Sequence, residues 1–168
     1  MDRVAAARIG GTYNFYAEGD RAPLLRERLQ RYLDERARAP VLVVGEAPGY
    51  RGTRVSGVPL TSERQLTGAG PAEATATIVH RVLDELDATA EVLLWNVVPT
   101  HPGDAGSNRR PTRDEVSAGL PFVRELARRR RVVPIGRIAC CALGGTYVRH
   151  PSHGGAAAFA AGLRRLLA

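Results

Sequence analysis

The chain has 168 residues, and 44% of them are hydrophobic, which suits one compact domain and excludes an intrinsically disordered protein. No apolar stretch approaches the length of a membrane span, and the first residues lack the pattern of a signal peptide, so we expect a soluble cytoplasmic protein. The formal net charge of +7 favours an acidic partner, with nucleic acid first, although a basic proteome would explain the charge equally well.

The use of charged and sulfur-containing residues excludes several kinds of chemistry. All 24 basic residues are arginines, so neither a GxxxxGK[ST] phosphate loop nor a lysine Schiff base can form. The only cysteines, Cys140 and Cys141, are adjacent and cannot hold a four-cysteine iron–sulfur cluster. Since the four histidines do not form a zinc pattern with them, we predict neither a metal nor another cofactor.

Helices and buried strands alternate along the chain. Residues 1–20 are predicted to form an irregular arm that packs through its aromatic side chains. The apolar patterns predict helices at about 23–38, 72–86, 112–130 and 136–143, a last helix that contains Phe159 and Leu167, and strands at 41–45, 92–98, 132–135 and 146–149. Thr112 followed by Glu115 predicts a capping box. We therefore expect one domain over 1–168 with an α/β fold, a three-layer α/β/α sandwich around a mainly parallel four-stranded sheet.

Polar residues follow three of the predicted strands. Glu46, Asn96 and His150 would converge in one crevice, because the carboxyl ends of parallel strands lie at one edge of a sheet. A carboxylate can orient a water, a carboxamide can recognise an amide edge, and a histidine can stabilise a developing anion. Singly, these residues could be a turn carboxylate, a strand-end amide and a loop histidine. Their joint placement favours a functional site.

Several ordered motifs resemble one known family. Four segments of the chain are Gly45-Glu-Ala-Pro-Gly49, Gly57-Val-Pro-Leu-Thr-Ser62, Asn96-Val-Val-Pro and His150-Pro-Ser152. In their order and spacing they resemble the motifs of the uracil-DNA glycosylase superfamily. Two more segments are similar to its bacterial and archaeal members, namely Asn108-Arg-Arg-Pro-Thr112 and Gly136-Arg-Ile-Ala139. The resemblance covers about residues 40–165, and it implies removal of uracil from DNA in base excision repair by hydrolysis of the N-glycosidic bond.

The resemblance also implies roles for individual residues. Glu46 would orient the attacking water, and His150 would stabilise the charge on O2 of the departing uracil. Asn96 would bind N3–H and O4 of the base, and Leu60 stands where the family usually has a stacking phenylalanine. Around the base we expect Gly45, Ala47, Pro48 and Gly49. For contacts with the DNA we expect Arg51, Ser62, Arg109, Arg110, Ser152 and His153. The implied partner is DNA with uracil or another deaminated base, bound in the nucleoid by a monomer.

The chain departs from the family pattern at three positions. Leu60 has no aromatic face, and Gly49 replaces the tyrosine that excludes thymine in the Gly-Gln-Asp-Pro-Tyr branch, so we expect a less exclusive pocket. Only His153 is available where relatives insert a bulky side chain into the duplex, and uracil in single strands or mismatches should therefore be preferred. Without lysine, the enzyme should be monofunctional and leave an abasic site.

Three alternatives stay open at the level of sequence. One is a glycosylase for hypoxanthine or xanthine, since Leu60 and Gly49 leave the pocket loose. Another is a non-catalytic DNA- or nucleotide-binding domain, against which Glu46 and His150 argue. The third is a small-molecule hydrolase, which the basic charge disfavours.

Overall fold

The structure, a computed structural model, describes residues 2–167 and has helices around a parallel sheet of three strands. In chain order the elements are α1 (Asp2–Ala5), α2 (Ala22–Glu35), β1 (Val41–Gly45), α3 (Thr53–Ser56), α4 (Glu63–Thr67), α5 (Ala74–Glu85), β2 (Val92–Asn96), α6 (Arg113–Leu126), β3 (Arg131–Pro134), α7 (Gly136–Leu143) and α8 (Ala156–Leu167). None of these helices has the length and apolar character needed to cross a membrane.

The strand β1 is the centre of the sheet. All five of its residues are buried, and it pairs in parallel with β2 on one side and β3 on the other. Alternate side chains point to opposite faces. Val41 and Val43 pack in one core cluster with residues of α5 and α8, while Leu42 and Val44 pack in another with residues of α2 and α6. The predicted α/β fold with helices on both faces of the sheet is therefore confirmed.

The prediction of a fourth strand at 146–149 is wrong. Only Val148 pairs with the sheet, through a single parallel bridge to Ile135. Its carbonyl accepts a hydrogen bond from the Gly136 backbone N–H at 2.8 Å. The next backbone hydrogen bond between the two segments would need an N–H donor on Pro134, which proline lacks. On the other side the bridge stops because α7 begins at Gly136.

Several predicted boundaries also shift. The long segment after β1 contains two short helices, α3 and α4, and the arm contains α1. Phe15 and Tyr16 of the arm are buried in the core, and Tyr13 forms an antiparallel bridge with His101. The helix α6 ends at Leu126 rather than near residue 130, and the Arg130 guanidinium donates to the carbonyl of Leu126 at 2.7 Å.

The predicted capping box at the start of α6 is confirmed. The Glu115 backbone N–H donates to the Thr112 hydroxyl at 3.2 Å, and the Thr112 N–H donates to the Glu115 carboxylate at 2.8 Å. The same carboxylate binds the Arg109 guanidinium through both oxygens, at 2.6 and 2.8 Å. Glu115 therefore joins the polar loop before α6 to the helix itself.

Candidate active site

Two of the three predicted site residues leave neighbouring strands in register. Gly45 of β1 is the direct partner of Asn96 of β2. The pairing continues one residue beyond the strands, since the Val98 N–H donates to the Glu46 carbonyl at 3.1 Å. The backbones of Glu46 and Asn96 are thereby held at the carboxyl edge of the sheet.

His150 reaches the same edge from the other side of β1. Its segment follows Val148, which joins the sheet at Ile135 immediately after β3. A Cβ atom built on Gly136 would lie 3.4 Å from Cβ of His150, so the histidine packs directly over the start of α7. The predicted gathering of Glu46, Asn96 and His150 at one edge of the sheet agrees with this topology.

The side-chain amide of Asn96 has an unused acceptor. Asn96 is 2% exposed, and its Oδ1 atom is buried without a hydrogen-bond partner among residues 2–167. Leaving such an atom unsatisfied costs about 1–3 kcal/mol, which a ligand N–H would recover. Gly45 leaves room for it, because a Cβ there would lie 3.0 Å from this oxygen and 3.1 Å from a methyl carbon of Leu60.

Leu60 lies against this amide in an unusual backbone conformation. Its φ of 51° is left-handed, which costs a non-glycine residue on the order of 1–3 kcal/mol and persists only where the surroundings enforce it. The Thr53 hydroxyl supports the conformation by accepting the Leu60 N–H at 3.0 Å. The side chain is 8% exposed and belongs to the core cluster of α5 and α8. Leu60 is therefore a fixed apolar wall next to Asn96.

The Glu46 side chain is half-buried, and its carboxylate makes no hydrogen bond within the described part of the chain. Burial raises the pKa of the Glu46 carboxyl above its ordinary value, while the positive charge of Arg110 opposes that change. Such a carboxylate can accept a hydrogen bond from a water and take a proton from it. Arg110 itself is exposed and is available to an anionic partner.

His150 presents one defined ring nitrogen as a donor. The Ser152 backbone N–H donates to Nδ1 at 3.2 Å, and the Ser152 hydroxyl lies 2.7 Å from the same atom. Because Nδ1 accepts, the hydrogen of the neutral ring is on Nε2. Burial lowers the pKa of the His150 imidazole, and the positive charges of His153 and Arg149 lower it further. His150 can thus offer a neutral Nε2–H to a ligand.

The loop after β1 is held by two side chains to which sequence reasoning gave no such role. The ring of His101 is fully buried, with Nδ1 2.8 Å from the Pro48 carbonyl oxygen and Nε2 2.8 Å from that of Asp104. Asn108 accepts the Tyr50 backbone N–H on Oδ1 at 2.9 Å. The predicted pocket backbone from Ala47 to Gly49 is therefore braced by the loop that follows β2. The Asn-Arg-Arg-Pro motif was the available signal for Asn108.

The structure separates the six predicted DNA contacts into different groups. Arg51, Arg110 and His153 are exposed, and His153 lies in a left-handed turn with a φ of 51°. Arg109 is bound by Glu115, as described above, although its side chain remains 39% exposed. The Ser152 hydroxyl contacts His150.

Ser62, for which we predicted a contact with DNA, is turned into the protein. Its side chain is fully buried, and its hydroxyl is bonded to the Gln65 carboxamide, which also accepts the Ser62 backbone N–H at 2.9 Å. Ser62 caps α4. A buried serine of this kind has no surface to offer to a phosphate group.

Comparison with known proteins identifies the family. The family described as the uracil DNA glycosylase superfamily matches residues 32–162, which include every motif of the edge described above. The chain belongs to the uracil DNA glycosylase superfamily. As a member it is a DNA glycosylase, a hydrolase that acts on N-glycosidic bonds, and its substrate is DNA.

One solved structure is similar in fold over nearly the whole length of this glycosylase. It is the crystal structure of wild-type Pedobacter heparinus SMUG2, with a TM-score of 0.66 and 12% sequence identity. The similarity covers 99% of this chain and 95% of the other. At that identity the likeness concerns the fold. No curated protein matches this glycosylase.

No group of three or more His, Cys, Asp or Glu side chains within residues 2–167 could hold a metal ion.

Proposed function

We propose that this glycosylase removes uracil from DNA by water-mediated hydrolysis, the first step of base excision repair. The observation that carries the proposal is the buried Oδ1 atom of Asn96 at the sheet edge, which has no hydrogen-bond partner among the described residues. Uracil offers an N3–H to that oxygen and an O4 to the amide N–H₂. Cytosine has a bare N3 and an amino group at C4, so in this orientation of the amide it would set acceptor against acceptor and donor against donor. Sites built to hydrogen-bond a substrate reject analogues that lack the group by on the order of 10⁴–10⁵.

Glu46 would supply the nucleophile. Its carboxylate accepts a hydrogen bond from a water and directs the water oxygen at C1′ of the deoxyribose. As the glycosidic bond breaks, the sugar acquires positive charge, which the nearby carboxylate stabilises. The new C1′–O bond forms, the water gives its proton to the carboxylate, and the electron pair of the old bond leaves with the base.

His150 would act on the leaving group. The departing uracil carries negative charge that is shared by O2, and the neutral Nε2–H of His150 is a suitable donor to it. This interaction is stronger in the transition state than with the neutral base, so it accelerates the reaction. The lowered pKa of His150 favours the neutral ring. A neutral ring can donate its N–H as a hydrogen bond without transferring the proton.

Exposed arginines would hold the DNA around the extruded nucleotide. Arg51 lies in the loop after β1, and Arg110 lies in the loop after β2. His153 lies close to His150 along the chain. Extruding a base costs a few kcal/mol, and least where pairing is weak. In the turn after His150, only His153 could fill the gap that the extruded base leaves in the duplex. A single histidine offsets little of the cost of breaking a base pair. We therefore expect single-stranded or mismatched uracil to be cleaved faster than uracil paired with adenine. The product is an abasic site, because without lysine no side-chain amine can attack it.

Cleavage of labelled oligonucleotides tests this proposal. The substrates carry uracil, thymine, hypoxanthine or xanthine in single and double strands, and Glu46→Gln and His150→Ala are assayed beside the wild type. We expect uracil to be removed, and both variants to be strongly impaired. Faster removal of hypoxanthine or xanthine than of uracil would reassign the substrate, and full activity of both variants would refute the proposed roles.

A further inference from the structure

The glutamate that precedes α5, Glu73, reaches back to the loop after β1. A Cβ atom built on Gly49 would lie 2.5 Å from Oε1 of Glu73, and one built on Gly52 would lie 1.5 Å from Oε2. Neither glycine is among those with a positive φ. The lack of a side chain at positions 49 and 52 therefore makes room for the Glu73 carboxyl group.

This carboxyl group differs from the other partly buried carboxylates of the molecule. Glu63 and Glu115 are each ion-paired with arginine, and their pKa values are lowered by those partners. Glu73 makes no side-chain hydrogen bond within residues 2–167, and burial raises its pKa. Glu46 is the other described carboxyl group with a raised pKa, and it begins the same loop. Groups perturbed in this way cluster at functional sites.

The position of Glu73 relative to a bound base follows from the proposed roles, on which this inference rests. Asn96 takes the N3 and O4 edge of uracil, His150 takes O2, and Glu46 lies on the side of the sugar. With those roles assigned, the C5–C6 edge is the one left to face the loop that runs from Glu46 to Gly52. The carboxyl group that fills the side-chain space of Gly49 and Gly52 lies on that loop.

We propose that Glu73 is a specificity-determining residue that closes the base pocket along the C5 edge and excludes thymine and other 5-substituted uracils. The absence of a side chain at Gly49 thus does not open the pocket, since the carboxyl group of Glu73, the residue before α5, occupies the space. The exclusion depends on the size of the group. One additional methyl group changes discrimination by about 10–200-fold in pockets of this kind.

Single-turnover cleavage of uracil and thymine opposite guanine tests the proposal in three variants. We expect Glu73→Ala to raise the thymine-to-uracil rate ratio by about 10–200-fold. Glu73→Gln should keep the wild-type ratio, because an amide has nearly the size of a carboxyl group. Glu85→Ala, at the other end of α5, is the matched control and should also keep it. An unchanged ratio in Glu73→Ala, or an equal increase in Glu73→Gln, would overturn the proposal.

A second measurement needs no variant and remains decisive if Glu73→Ala fails to fold. The bromine of 5-bromouracil is about as large as a methyl group, but it withdraws electrons and makes the base a better leaving group. If size decides, the wild type cleaves 5-bromouracil more slowly than uracil. Faster cleavage of 5-bromouracil or equal cleavage of thymine would overturn the role of Glu73 and leave the proposed function intact. A wild type without activity on uracil would instead refute the proposed function.

Discussion

Replacing Glu115 by glutamine should destabilise the fold in a way that depends on pH. Glu115 is 2% exposed, and the Arg109 guanidinium, followed by the backbone N–H groups of Thr112 and Gly11, lowers its pKa from 4.5 to about 2. A pKa that is lower in the folded state adds stability above the unfolded pKa, and that stability is lost as the pH falls towards the folded pKa. The carboxylate therefore stabilises the fold at neutral pH and ceases to do so in acid.

The size of the effect follows from the shift. A difference of roughly 2.5 units corresponds to about 3 kcal/mol of unfolding free energy at pH 7, as an upper figure because the Arg109 partner is 39% exposed to solvent. At pH 3 the same linkage leaves on the order of 1 kcal/mol. Since glutamine mimics the protonated acid, the gap between Glu115→Gln and the wild type should shrink by more than half between pH 7 and pH 3.

Urea unfolding of both proteins from pH 3 to pH 7 measures this gap. Glu125→Gln is the control, because its ion pair with Arg3 is exposed and should contribute at most about 1 kcal/mol. A gap that stays constant over this range would show that the carboxylate is not charged and paired in the folded state. Our account of how the loop before α6 is held would then be refuted.

Three further predictions concern the active site. His150→Ala should lower kcat on uracil-containing DNA by on the order of 10²–10³ with little change in substrate dissociation, and an effect confined to binding would contradict its role at the leaving group. In the wild type, kcat/KM should fall as the pH drops through a pKa above the ordinary 4.5 of a glutamate, because the proposed mechanism needs Glu46 in its charged form. The residual kcat/KM of Glu46→Gln should not show this fall at acid pH. Gly45→Ala places a carbon about 3 Å from the Asn96 oxygen. It should reduce kcat/KM at least about tenfold, since the Asn96 amide would be displaced from the position in which it recognises the base.

The sheet edge could be predicted from sequence because its determinants are local. One apolar run that ends before Gly45 and Glu46, and a second that ends at Asn96, indicate two buried strands. The rules of parallel topology then bring their carboxyl ends together. No knowledge of side-chain contacts is needed for this step, and the register of Gly45 with Asn96 agrees with it.

The remaining features depend on contacts between distant segments. Glu73 meets Gly49 and Gly52 across α3 and α4, and no periodicity in the sequence signals that contact. Ser62 has the residue type of a phosphate ligand, but the turn before α4 buries it as a cap. The failed fourth strand was visible in principle, since Pro134 lacks the N–H that a further rung needs.

The single bridge at Val148 ties one part of the proposed active site to the sheet less firmly than the other. Glu46 and Asn96 follow strands that share a five-residue ladder, whereas the segment that carries His150 is attached to the sheet only around Ile135. Regions with few backbone bonds open locally at low free energy, while central strands open only with the whole domain. We therefore expect the Val148 amide to exchange its hydrogen far faster than the amides of β1. With the roles proposed above, we expect the base to enter and leave by displacement of the His150 segment, while Glu46 and Asn96 stay in place.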